Sequence, residues 1–294
     1  MTVDRSTQPE DLDVFWAETM AELMSRPPKP DVEPLPIRST DFAECMSVRL
    51  TSLNDYQIHA YFSRPNNGAP FPVVYHTPGY ASVVPIPPYH QRKRHAVLTL
   101  CARGQRLADR PYAASFPGFL TDGIDNRTSY PMRGFIADAC RGIDYIKSRN
   151  EVDPKRIIAV GGDSALFVAA LRPEVHAVVV SDPFMIGLGA VAPGTSAYPH
   201  EEINDYRRAF PDRVQSMLTT LGYFDPIFLA DRIRAEVLIS CGPLGSLFGP
   251  AQARTLADAI SGPVEIFERS GRGHNDHVFV ENWIAKHGGA SAVA

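Results

Sequence analysis

The side chains best suited to chemistry are concentrated in one short run, Gly161-Gly162-Asp163-Ser164-Ala165-Leu166, which follows the apolar stretch Arg156 to Val160. A buried strand, a glycine turn and a helix in that order lift the residue at the centre of the turn out of the end of a sheet. Small residues two positions away on either side let the helix pass close to the strand. With Asp163 at the centre, Gly161 and Ala165 are those small residues. With Ser164 at the centre, Leu166 falls at the close approach, where a branched side chain crowds the turn, so Asp163 fits better. A carboxylate there meets the dipole and the free N–H groups of the helix start, both of which favour the anion, and Asp163 is expected to be ionised at neutral pH. Farther along, Gly273-His274-Asn275 offers an imidazole. Asp182 and Asp276 are carboxylates that can stand behind it.

These groups need a scaffold, and the hydrophobic pattern supplies one. Leu12, Phe15, Trp16, Met20 and Leu23 recur at helical spacing over Asp11 to Met24. Pro27 to Pro36 reads as an extended connector. Met46 to Phe62 alternates about Asn54-Asp55 as an antiparallel hairpin. Short apolar strands are predicted at Pro72–His76, Ala96–Cys101, Arg156–Val160, His176–Val180, Val237–Cys241 and Val264–Phe267, with helices near Met132–Arg149, after the glycine turn, and at Val278–Lys286. Strands alternating with helices predict a mostly parallel twisted sheet covered on both faces, the α/β class. The loop Thr77-Pro78-Gly79-Tyr80-Ala81 leaves the carboxyl end of a strand, where open α/β sheets carry ligand-contacting groups. Residues 185–224 have little strand character and are expected to lie as helices over the site.

Composition narrows the remaining possibilities. A chain of 294 residues without a visible linker suits one large domain spanning 1–294. The formal charge of -4 leaves no basic stripe for nucleic acid. No apolar run reaches the length of a membrane span and the start lacks a signal-peptide layout, which predicts a cytoplasmic protein. Cys45, Cys101, Cys140 and Cys241 lack metal-ligand spacing, so buried free thiols are expected and no structural zinc. No cofactor motif is present, Gly161-Gly162 being too short for a dinucleotide site. The expected partner is a small-molecule substrate.

Asp13-Val14-Phe15-Trp16, Gly79-Tyr80, Arg103-Gly104-Gln105, the Pro117–Gly123 loop, Asp153-Pro154-Lys155-Arg156-Ile157, and Phe224-Asp225 through Asp231-Arg232-Ile233 together resemble the acetyl xylan esterase and cephalosporin C deacetylase family. The resemblance runs over nearly the whole chain and implies the α/β-hydrolase fold. It also implies a serine nucleophile in a Gly-x-Ser-Gln-Gly-Gly turn, an acid after a late strand and a histidine base. Laid on that pattern, Asp163 takes the serine position, Ser164 the glutamine, Gly245 the acid and His274 the histidine. The backbone N–H groups of Ser164 and Tyr80 take the oxyanion-binding positions. Family members often form symmetric oligomers, which makes a homo-oligomer possible and the Met46–Phe62 hairpin a candidate contact.

Serine-route hydrolysis needs a hydroxyl, a histidine and a carboxylate, and two of the three positions have changed. The expectation is therefore an Asp163/His274 acid–base pair beside an oxyanion hole, suited to proton transfer, conjugate addition, C–C bond formation or cyclisation. Five lysines among 29 basic residues suggest a GC-rich coding sequence, and with the altered triad this points to a specialised metabolite and a biosynthetic role. Three alternatives stand beside this reading. Asp163 can act as a covalent nucleophile, as in epoxide hydrolases or dehalogenases; Ser164 can be the nucleophile of an ester hydrolase; or the chain can be a non-catalytic binding protein. Arg103 and Gln105 read as braces for the site loops, and His76 and His277 as loop histidines rather than ligands.

Overall fold

The computed structural model describes residues 5–80, 83–110 and 118–289; Pro117 and the two ends of the chain lie outside them. After helix α1 (Leu12–Met24) come strands β1 (Asp31–Pro34), β2 (Ala43–Thr51), β3 (Gln57–Pro65), β4 (Phe71–His76) and β5 (Ala96–Cys101), then helix α2 (Pro131–Lys147). Strand β6 (Val152–Gly161), helix α3 (Asp163–Leu171) and strand β7 (Ala177–Ser181) follow, with short helices α4 (Leu188–Val191), α5 (His200–Ala209) and α6 (Val214–Tyr223). Strand β8 (Glu236–Cys241), helix α7 (Pro250–Ala259), strand β9 (Val264–Glu268) and helix α8 (Gly273–His287) complete the order. The nine strands form one sheet, β1-β2-β3-β5-β4-β6-β7-β8-β9. β1, β2, β3 and β5 pair antiparallel, and from β5 through β9 every pairing is parallel.

The strict alternation of side chains along a strand divides the core into two layers. Val73, Tyr75, Ile157, Ala159, Val178 and Val180 point to the layer that holds α1, α2 and α3. Their neighbours Val74, Ile158, Ala177 and Val179 point to the other, where Trp283 and Ile284 of α8 cover them. Because both faces are covered, β4, β6 and β7 read as nearly continuous apolar runs. In α1, Trp16 is fully buried, packs against Phe15, Phe167 and Phe224, and donates its indole N–H to the carbonyl of Tyr223 at 3.0 Å.

Three elements differ from the sequence expectation. The connector 27–36 contains β1, an edge strand defined only by its pairing with β2, and Pro34 is tolerated there because an edge strand needs fewer ladder donors. Helix α7 follows a glycine and begins with Pro250, a residue suited to a first turn. Helix α8 begins at Gly273, so it includes His274, which the apolar pattern left in a loop. All four cysteines are buried free thiols. No helix among the described residues is long and apolar enough to cross a membrane.

Candidate active site

The carboxyl ends of β4, β6 and β7 converge on a pocket of about 320 Å³. Its walls include Pro78, Gly79 and Tyr80 after β4, Gly162, Asp163 and Ser164 after β6, and Phe184 and Met185 after β7. Tyr198 and Pro199 close it from the segment 185–224. Gly161 and Ala165 do meet at the turn: a Cβ on Gly161 would lie 3.5 Å from that of Ala165 and would overlap Thr77 Oγ1. Asp163 is therefore central, as the spacing predicts, and it is the first residue of α3.

Asp163 is buried, and its two carboxylate oxygens accept hydrogen bonds from the backbone N–H groups of Phe184 and Met185, each at 3.0 Å. Burial pushes its pKa up to about 6, against the pull of those N–H groups, so the carboxyl is held closer to neutrality than the helix start alone would leave it. The adjacent Ser164 is also buried; its hydroxyl donates to the carbonyl of Pro78 at 2.6 Å and lies 2.8 Å from Thr77 Oγ1. The Asp163/His274 pair is not formed. His274 is exposed in the first turn of α8 and does not line the pocket, while the Asp163 carboxylate is engaged by the two amides.

The supporting residues divide in the same way. Gln105 spans two loops, donating to the carbonyl of Gly79 at 2.8 Å and accepting from the N–H of Ala102 at 2.8 Å, which fixes the 78–80 loop. Arg103 lies one layer deeper. It makes a two-pronged pair with the fully buried Asp138, at 2.8 Å on each prong, and donates to the carbonyl of Leu53 at 3.0 Å. Gly134 of α2 is bare where Arg103 passes, since a Cβ there would overlap the guanidinium. Asp182 lines the pocket, but its carboxylate is paired twice with Arg269, at 2.6 Å each, and does not face His274 as a partner. Asp276 is drawn back to the N–H and hydroxyl of Ser270, at 3.0 and 2.9 Å; these bonds, the backbone one first, lower its pKa.

Two further carboxylates shape the site: Glu202, which the sequence does not single out, and Asp225, which belongs to the Phe224-Asp225 motif. Glu202 of α5 takes the Tyr80 hydroxyl on both oxygens at 2.8 Å, and the same hydroxyl accepts from the N–H of Leu120 at 2.9 Å. Burial first, then the Glu202 charge, raises the Tyr80 phenol well above its ordinary pKa, so it remains a donor. Asp225 accepts from the N–H groups of Gly187 and Ile227 at 2.8 and 3.1 Å; burial, with the Asp163 charge adding to it, pushes its pKa to about 7. Ile227 is a local partner of Asp225, two residues on, but only tertiary structure brings Gly187 to Asp225 and Tyr80 to Glu202.

A largely parallel sheet covered on both faces, with a strand–glycine turn–helix opening onto a pocket at its carboxyl edge, defines an α/β-hydrolase fold. The family model described as acetyl xylan esterase (AXE1) matches residues 3–254, and the chain belongs to that family. An acetyl xylan esterase from Paenibacillus sp. R4 superposes with a TM-score of 0.82 at 23% identity, covering 97% of this chain and 99% of that one. Acetyl xylan esterase 1 from Thermoanaerobacterium sp. superposes with a TM-score of 0.81 at 23% identity, covering 95% and 94%. The acetyl esterase Axe7A of Xylanibacter ruminicola is 25% identical over 275 residues, 87% of this chain, which spans 61% of that relative's length.

These relationships correct the expected chemistry. Membership in an esterase family and similarity to a curated acetyl esterase overturn the reading of Asp163 and His274 as a pair built for proton transfer, addition or cyclisation. With it falls the inference that an altered triad marks a biosynthetic enzyme of specialised metabolism.

Proposed function

We propose that the chain is an ester hydrolase that removes acetyl groups from an O-acetylated small molecule, with Ser164 as the nucleophile. The observation that carries this reading is the Ser164 hydroxyl at the strand-to-helix turn, on the pocket wall and bonded to the Thr77 hydroxyl and the Pro78 carbonyl. The family and the acetyl esterase relative support the acyl class. In the proposed reaction Ser164 Oγ bonds to the acyl carbon and gives up its proton as the ester C–O bond breaks and the alcohol leaves. Water then displaces the serine and releases acetate. Asp163, next to it in sequence and on the same pocket wall, is the carboxyl proposed as general base, a role that requires its oxygens to turn from the Phe184 and Met185 N–H groups toward the serine. The apolar side chains of Met132, Phe135, Ile136 and Phe167 leave room for a small acyl group rather than a charged one.

Hydrolysis of p-nitrophenyl acetate and of acetylated xylo-oligosaccharides, together with fluorophosphonate labelling and peptide mapping, tests this reading. Labelling at Ser164 and loss of turnover in Ser164→Ala are expected. Turnover that survives Ser164→Ala would remove the serine from the chemistry. A collapse in His274→Ala with Asp163→Asn unaffected would move the base role to the histidine.

A further inference from the structure

On the sheet face opposite α2 and α3, away from the pocket, three side chains converge whose chemistry the ester reaction does not use. His277 and Glu281 lie one turn apart on α8, and His90 reaches them from the loop after residue 83; one ligand atom from each lies within 4.8 Å of the others. His90 Nε2 is 2.9 Å from Glu281 Oε2, yet this buried nitrogen makes no hydrogen bond. The His90 and His277 rings stand perpendicular with centroids 5.4 Å apart. The second Glu281 oxygen is already committed, accepting from Gln91 Nε2 at 3.0 Å, and Gln91 Oε1 lies 2.7 Å from His76 Nε2.

We propose that His90, His277 and Glu281 bind a divalent transition metal of the zinc type. Two imidazoles and one carboxylate make a donor set that zinc favours, with a fourth position left to solvent. Bonds of roughly 2.0–2.1 Å in a tetrahedron require donor atoms roughly 3.3 Å apart, a small relaxation of the observed His90–Glu281 separation. A nitrogen 2.9 Å from a carboxylate oxygen but outside hydrogen-bond geometry is a contact that a cation ligated by both atoms would satisfy. Gln91 and His76 form the outer layer, holding one carboxylate oxygen so that the other faces inward. The exposed edge of His277 gives the ion a path in. His76 and His277 are loop histidines by sequence, whereas in the fold His76 ends β4 and His277 stands on α8 four residues before Glu281, and only His90 comes from a distant segment. Bound metal would pin the first turns of α8, including the turn that carries His274, to the 88–91 loop.

The test uses the full chain stripped with a chelator, then titrated with Zn²⁺ against a chromophoric competitor and, separately, with Co²⁺ followed by its visible spectrum. One equivalent of each metal is expected, with a tetrahedral Co²⁺ spectrum and a melting temperature that rises with Zn²⁺. His277→Ala and His90→Ala should each weaken binding by at least about 10-fold, the smaller loss seen even when an outer-layer partner is removed. His277 is exposed, so its variant should keep the metal-free melting temperature and separate lost ligation from lost folding. No stoichiometric binding, or unchanged affinity in His277→Ala, overturns the proposal. These readouts are independent of ester turnover, so neither outcome depends on the role of Ser164.

Discussion

Replacing Asp163 with alanine should change stability in a way that depends on pH. The wild-type carboxyl has a folded pKa of about 6 against an ordinary 3.8. A carboxyl whose folded pKa is raised contributes stability that is fully present below the unfolded pKa and lost as pH rises through the folded one. Linkage over that interval makes the ionised group unfavourable by about 3 kcal/mol at pH 7 but only about half that at pH 5. Wild type therefore gains about 1 kcal/mol from this group on acidification from pH 7 to pH 5, and the alanine variant does not. Against that relief, the variant leaves the N–H groups of Phe184 and Met185 without their acceptor, at about 1–3 kcal/mol each. The two effects oppose each other at pH 7, so the informative quantity is the change in the gap between the proteins. Asp225 reinforces the sign: removing the Asp163 charge lowers its pKa from about 7, so the variant also gains less there on acidification. Urea unfolding of both proteins at pH 5, 6, 7 and 8 measures the gap, and groups common to both cancel. A gap that is constant or narrower at pH 5 refutes the account of a destabilised buried carboxyl.

Gly161→Ala should lower stability by about 1–3 kcal/mol, the usual cost of overpacking, because its Cβ would overlap Thr77 Oγ1 beneath the Ser164 hydroxyl; thermal melting reads it. Arg103→Ala should cost about 3–5 kcal/mol in denaturant unfolding, since it leaves the buried Asp138 carboxylate without its countercharge, and Arg103→Lys should recover only part because an ammonium cannot make both prongs. Tyr80→Phe removes the donor that Glu202 takes on both oxygens and should cost about 1–3 kcal/mol, with faster limited proteolysis within residues 185–210.

Much of the fold was legible because the sheet is buried on both faces. Strands such as Ala96–Cys101 are then continuous apolar runs that announce themselves. β1 was not legible, because Asp31 to Pro34 has no apolar pattern and becomes a strand only by pairing with β2. At the site, the central position of Asp163 could be read from Gly161 and Ala165, two residues that must be small for a steric reason, and Gln105 could be read as a brace. The partners of Asp163 could not, since the N–H groups of Phe184 and Met185 lie some twenty residues away and any residue type except proline supplies one. His274 shows the same limit: its context suggested a base, but its exposure depends on how α8 is laid on the sheet.

The two carboxylates that burial pushes toward neutrality share a further property that the kinetics should expose. Asp163 holds the N–H groups of Phe184 and Met185, and Asp225 holds that of Gly187, so together they tie down the start of the segment that covers the pocket. The Tyr80–Glu202 contact ties the same segment farther along, at α5. A change at Asp163 therefore reaches both the proposed chemistry and the pocket wall. Asp225→Asn should release only the wall, because Asp225 does not line the pocket. If Asp163 serves chiefly as an anchor, Asp163→Asn and Asp225→Asn should both raise KM with similar, modest effects on kcat. If it is the base, Asp163→Asn should lower kcat far more than Asp225→Asn does while their KM values stay close.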